Sequence, residues 1–190
     1  FSSPITDHYS SKDGDSGTQS LANPYLFSKY LAEKTCQFFS DHYGVDVVVF
    51  RLFNVYGPGQ SSSFLIPMMI QQIIEKNKIS VKNLDSIRDY IYIDDVIDGI
   101  LKMQESSQIT GDISLGTGIG TSVIGVIREL EKIHPFPIEI DCLSNEIKEQ
   151  IHSSVANIEE TEKALDWRPN ISLAEGIEKT YENMRRVLAK

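Results

Sequence analysis

The chain of 190 residues holds only two cysteines, Cys36 and Cys142, which form neither a CxxC nor any metal-ligand spacing. That argues against a disulfide scaffold or a zinc module and suits a reducing, cytoplasmic setting. The four histidines show no ligand spacing either, so no residue is assigned to a metal. No apolar run approaches the roughly 18 residues that a membrane helix needs. Basic charge is scarce: the formal net charge is −9. A nucleic-acid binder normally presents a basic face, so neither nucleic acid nor a membrane is expected as a partner. A small anion remains possible, because one or two placed arginines suffice to bind it. Internal repeats and low-complexity tracts are missing as well. So is a dinucleotide-binding glycine turn: GTGIG, at 116–120, lacks the Gly-x-Gly-x-x-Gly pattern and the acidic residue about 20 positions on. Finally, the sequence opens on FSS, with no methionine and no signal-peptide character, which leads to the expectation of a piece of something longer.

What is present is an ordinary globular composition, 41% hydrophobic and 24% charged, long enough for one domain with a small second lobe. Residues 7–23, rich in Ser, Asp and Gly, read as a surface loop. Pro24 then opens a helix predicted to run to about His42, with Gly44 closing it. VDVVVFRLFN has the β-branched composition of a buried parallel strand. Phe64 to Lys76 is predicted helical, and ISVKN a short strand. RDYIYIDDVIDGILKMQES starts extended and turns helical near Asp94 or Asp95, either of which is expected to cap the helix. GDISL is a strand, Val123 to Ile133 a helix, PIEI a short strand, and 157–166 and 172–188 two more helices. Strands alternating with helices give an α/β fold with a mainly parallel sheet.

The chemistry centres on NPYLFSKYLAEK, residues 23–34. Tyr25 and Lys29 stand four apart, a little over one turn, and so project from one helix face. A phenol with an ordinary pKa near 10 is a poor base at neutral pH. An ammonium group within a few Å stabilises the phenolate, which can then take a proton from a hydroxyl or return it. The bland alternative is a surface pair, since YxxxK occurs by chance in many helices.

Five segments bear on that choice. NPYLFSKYLAEK resembles the PYxxSKxxxE segment of the extended short-chain dehydrogenase/reductases, the nucleotide-sugar epimerases and dehydratases. RLFNVYGPG, at 51–59, resembles their R-x-x-N-V-Y-G-P signature, and RDYIYIDDVIDGIL, at 88–101, the segment usually written RDFIYVDDVVxAxL. SLGTG resembles the family's N-V-G-T-G strand end, and ALDWRPNISLAEGI its closing LGWxPxxSLEEGL. The motifs follow one another in family order across nearly the whole chain.

The resemblance implies roles. Tyr25 would be the catalytic acid/base, and Lys29 would hydrogen-bond the nicotinamide ribose of NAD and depress the tyrosine pKa. The family's third catalytic group is a Ser or Thr ending a strand, which places Ser3 there, with Ser2 as the alternative. Leu52 occupies a position whose backbone usually lies near the nicotinamide. Asn54 and Arg88 match residues that contact the diphosphate of the nucleotide sugar, a task suited to a guanidinium fork. Each has a structural alternative: Asn54 could cap a turn, and Arg88 could pair with Asp89 or Asp95. The family often dimerises through the YxxxK helix and the next helix, and Phe38, Phe39 and Met68 could serve such a face.

Departures from the family pattern are equally specific. Leu26 replaces the glycine after the tyrosine, KNLDSI replaces a glycine-containing turn before Arg88, and Glu146, Ile147 and Lys148 occupy the neighbourhood of a second expected arginine. The first βαβ unit with its phosphate-binding glycines is missing. The expected architecture is therefore the C-terminal part of a Rossmann-like parallel sheet plus a small α/β substrate-binding lobe, without the N-terminal cofactor-binding half. Residues 1–60 would be the remaining Rossmann part, 61–110 mainly the substrate lobe, 111–134 the last Rossmann strand and helix, and 135–190 the rest of the lobe. The expected activity is NAD-dependent 4-epimerisation of a UDP-sugar, with these residues inactive by themselves. Dehydratases of the family usually carry an acidic residue after the catalytic Ser/Thr, where Pro4 and Ile5 stand here. A 4,6-dehydratase, a reductase or decarboxylase, and a non-catalytic nucleotide-sugar binding module are the alternatives.

Overall fold

Proline at the first helical position loses no hydrogen bond and has its φ already set, and α1 runs Pro24–Tyr43. It stops at Gly44, whose φ of 64° is left-handed and whose N–H reaches the Ser40 carbonyl. The structure, a computed structural model, describes residues 24–106, 111–143 and 153–189.

The apolar run after α1 forms β1, Val48–Leu52, and β2, Asn54–Tyr56. The expected single strand is broken at Phe53. Its N–H makes a last bond to the Leu115 carbonyl, and its own carbonyl accepts from the Val55 N–H two residues on. The chain thereby leaves one sheet and enters another. β1 lies parallel to β5, Gly111–Leu115, whereas β2 lies parallel to β4, Ile87–Tyr92. Between them come α2, Leu65–Lys76, and β3, Lys78–Val81. β3 pairs in parallel with β7, Glu139–Cys142.

β4 is the organising strand. Beyond its pairing with β2, its first residues are flanked by β6, Gly120–Ser122, running antiparallel, and by β8, Ser153–Ser154, running parallel. The α/β, mainly parallel expectation holds, with β6 as an antiparallel addition. Helices α3 (Ile93–Glu105), α4 (Val123–Ile133), α5 (Glu159–Leu165) and α6 (Leu173–Leu188) complete the described residues. Ser122 and Ser172 cap α4 and α6 by accepting from the N–H groups of Gly125 and Glu175.

Two apolar clusters hold the elements together. One joins α2, β3, α4 and α6 around Met69, Ile70, Ile79, Ile127 and Ile177. The other joins β1, β5 and α3 to Leu165 and Trp167. β4 feeds both: Tyr90 and Tyr92 enter the first cluster and Ile91 the second, as alternation along a strand requires.

The expected cap of α3 is corrected. Its N-cap residue is Tyr92, without a side-chain cap, and Asp94 and Asp95 lie in the first turn, where negative charge suits the helix dipole. Asp95, only 3% exposed, instead accepts from the backbone N–H groups of Asn170 and Ile171 and so ties down the segment leading into α6.

Candidate active site

Arg51 sets α1 against the sheet. Its guanidinium grips both carboxylate oxygens of Glu33 on α1, at 3.0 and 3.2 Å, and Asp112 on β5 at 2.6 and 3.0 Å. Partial burial opposes its charge, but these two carboxylates prevail and raise its pKa above the ordinary value.

On that helix, Lys29 and Tyr25 share a face as the spacing requires: the Lys29 ammonium lies 5.5 Å from the centroid of the Tyr25 ring, within cation–π range. Tyr25, about half exposed, lines a cavity of about 390 Å³ together with Leu52, Asn54, Gln60 and Tyr90. A second cavity, of about 610 Å³, holds Arg88 with Gln72, Ser80 and Lys82. Asn54, Leu65 and Tyr90 line both, so the two cavities adjoin along one wall.

The wall follows from strand register. Asn54 on β2 stands opposite Tyr90 on β4, and Arg88 precedes Tyr90 by two residues, on the same face of the strand. The kink at Phe53 is what brings Asn54 into this pairing while Leu52 stays in the first sheet. Asn54 donates its amide to the Asp89 carbonyl at 3.1 Å, which orients it in the wall rather than capping a turn.

Arg88 pairs with neither Asp89 nor Asp95. Its Nη1 donates to the Ile87 carbonyl at 2.7 Å, and among the described residues it makes no ion pair. Asp89 is committed elsewhere: fully buried, it accepts from the N–H and hydroxyl of Thr117 and from the N–H groups of Gly118 and Ala156. Gly116 is needed beside it, because a Cβ there would meet Asp89 Oδ2 at 2.7 Å and the Ala156 methyl at 2.5 Å. Gly116 thus serves close packing against a buried carboxylate.

Of the residues expected at the site, Tyr25, Leu52 and Asn54 share one cavity, Lys29 lies against Tyr25, and Arg88 lines the adjoining cavity. Ser3, with Ser2, Pro4, Ile5 and the stretch holding Glu146, Ile147 and Lys148, lies outside the described residues. Met68 packs against the first cluster and lines the Arg88 cavity, whereas Phe38 and Phe39 are about half exposed on α1. Gln60 and Tyr90 in this wall are not among the expected site residues. The signal for Tyr90 was its phenol at a motif position usually written as Phe.

A further cleft of about 670 Å³ lies between α3 and α5, lined by Asp98, Lys102, Glu162, Lys163, Asp166 and Arg168 among others. It is larger, but Arg168 there is paired with Glu162 at 2.9 Å, and the cleft contains none of the proton-transfer candidates. Among the described residues no group of three or more His, Cys, Asp or Glu could hold a metal ion, and no helix is long and apolar enough to cross a membrane.

Known proteins resemble this chain in sequence and in fold. GDP-6-deoxy-D-talose 4-dehydrogenase of Aggregatibacter actinomycetemcomitans is 35% identical over 127 residues, 66% of this chain and 42% of that protein. The dTDP-D-glucose 4,6-dehydratase of Mus musculus is 27% identical over 90% of this chain and 50% of its own length. Among solved structures, UDP-glucuronic acid 4-epimerase from Bacillus cereus, in complex with UDP-glucuronic acid and NAD, superposes with a TM-score of 0.80 at 26% identity, covering 87% of this chain and 53% of that one. The chain spans about half the length of the curated relatives it matches. The family model of the NAD dependent epimerase/dehydratase family matches residues 4–116, more than half of the sequence, and the chain belongs to that family.

Proposed function

We propose that this chain carries the proton-transferring and substrate-holding part of an NAD-dependent nucleotide-sugar 4-epimerase acting on a UDP-sugar. The observation that carries the reading is the continuous wall from Tyr25 through Leu52, Asn54 and Tyr90 to Arg88. A phenol next to an ammonium at one end and a guanidinium with no ion pair among the described residues at the other suit a ligand with a reacting hydroxyl and an anionic tail.

In this reading Arg88 and Asn54 hold the diphosphate, the guanidinium supplying two parallel donors. The sugar then extends toward Tyr25. The phenolate, stabilised by Lys29, takes the proton of the sugar 4-hydroxyl and returns it when the hydroxyl is re-formed. NAD, when bound, supplies the hydride acceptor for the carbon under that hydroxyl. Tyr25, Lys29 and the backbone of Leu52 fit its nicotinamide-ribose end, because they lie on or beside one cavity. The pyrophosphate is ordinarily held by a glycine turn that these residues do not contain. Ser3, by the family resemblance, would share the hydrogen bond to the reacting oxygen.

The soluble cytosol is the proposed setting, and a second copy of the chain the proposed partner. Half-exposed Phe27, Leu31, Phe38 and Phe39 on α1 support pairing through that helix.

The test is product analysis with the full-length protein, NAD and UDP-glucose, UDP-glucuronate or dTDP-glucose in turn. A 4-epimer with no net change in NAD supports the proposal. A 4-keto-6-deoxy product would show a dehydratase instead, and binding without turnover a non-catalytic module.

A further inference from the structure

Two oxygens of the Tyr25 cavity, Gln60 Oε1 and the Tyr90 hydroxyl, are buried without a hydrogen-bond partner among the described residues. Folded proteins rarely leave such groups unpaired, because the desolvation cost is then uncompensated. Gln60 is anchored, since its Nε2 donates to the Val55 carbonyl at 2.8 Å and the opposite side of the amide is left over. Tyr90 is held in strand register beside Asn54 and is 7% exposed. It lines the Tyr25 cavity, the Arg88 cavity and a third recess next to the loop entering α6.

We infer that the Tyr90 hydroxyl and Gln60 Oε1 form a donor–acceptor pair that recognises the sugar of the bound nucleotide sugar. A sugar hydroxyl both donates and accepts, so it can satisfy both oxygens at once. Their place in the wall assigns them to the sugar rather than to the diphosphate: both share the cavity of Tyr25, and Gln60 is absent from that of Arg88. Burial pushes the Tyr90 phenol up to about 12, with nearby Arg88 opposing the rise, so the hydroxyl keeps its proton and remains a donor at neutral pH. An apolar ring at this position would fill the same wall without reading the sugar. The inference rests on the nucleotide-sugar reading above.

The experiment compares wild type with Tyr90→Phe in the full-length protein, by calorimetry, against UDP, dTDP and GDP and against UDP-glucose, dTDP-glucose and GDP-mannose. Tyr90→Phe is expected to weaken whichever sugar nucleotide binds wild type by about 3- to 10-fold, the range of one hydrogen bond, and to leave the matching free diphosphate unchanged. Its Tm should stay the same or rise, since the change deletes a buried hydroxyl with no partner among the described residues. Gln60→Met also gives up the bond to Val55, so its Tm falls by a few degrees. Its effect on affinity should again be confined to the sugar nucleotide. Equal loss for sugar nucleotide and free diphosphate would overturn the assignment to the sugar. Unchanged affinity, or a lowered Tm for Tyr90→Phe, would show a structural hydroxyl and sink the inference while leaving the proposed function standing. Failure of every probe to bind wild type would remove both.

Discussion

Asn54 and Tyr90 face each other across the parallel pairing of β2 with β4, and both border the Tyr25 cavity and the Arg88 cavity. That one register pair joins a phenol on a helix to a guanidinium on a strand. The kink at Phe53 is its cause. Had β1 continued straight alongside β5, Asn54 would have stayed in the first sheet, and the two cavities would have lacked this common wall.

Tyr25→Phe in the full-length protein should lower turnover by about 10²–10⁴-fold, the usual contribution of a general acid–base group. Nucleotide-sugar affinity should change little, because the ring and its contact with Lys29 remain. Steady-state rates and calorimetry together check this. A variant keeping most of its kcat would remove Tyr25 from the chemistry.

Arg88→Ala should weaken nucleotide-sugar binding by roughly 1.5–3 kcal/mol, the scale of hydrogen bonds to a charged group. Arg88→Lys should recover only part of that, since a point charge cannot reproduce the fork. Stability should barely move, because Arg88 makes no ion pair among the described residues. Affinity unchanged alongside a clear drop in Tm would mean that the side chain is structural.

Asp89→Ala should behave in the opposite way. It strips the acceptor from the Thr117 N–H and hydroxyl and from the N–H groups of Gly118 and Ala156. With buried donors left unpaired, a loss of roughly 3 kcal/mol or more is expected. Urea unfolding measures it. A change below about 1 kcal/mol would show that the turn finds other acceptors.

His134 makes stability depend on pH. Its Nε2 lies 2.8 Å from Asn77 Oδ1 and its Nδ1 2.9 Å from the Tyr181 hydroxyl. The amide oxygen can only accept, so the neutral ring donates from Nε2 and accepts at Nδ1. Burial lowers its pKa below the ordinary 6.5. The unfolded chain therefore binds the proton more readily than the folded one. This contribution is fully present above pH 6.5 and is lost as pH falls through the lower folded value. Urea midpoints of wild type should drop on going from pH 7.5 to 5, and His134→Gln should show a shallower decline. Equal declines would assign the effect to other groups.

Much of this molecule was determined locally, and those parts were legible in the residues alone. Pro24 and Gly44 bracket α1 because one sets φ and the other accepts a left-handed φ. The apolar spacing of Val123–Ile133 becomes α4 with the expected bounds. Helical spacing likewise put Tyr25 and Lys29 on one face before any tertiary contact was known. The remainder depended on pairings between distant segments. Nothing in the uninterrupted run VDVVVFRLFN marks Phe53 as the point where the chain changes sheets, because both halves are apolar and each finds a different partner strand. Asp89 and Asp95 carry the same carboxyl group as any helix cap. Only packing decided that the one would hold the turn after β5 and the other the entry to α6, because the N–H groups they satisfy lie 28 to 76 residues further on. The wall joining Tyr25 to Arg88 was decided in the same way, since it exists only in the register of β2 against β4, which no short window of sequence contains.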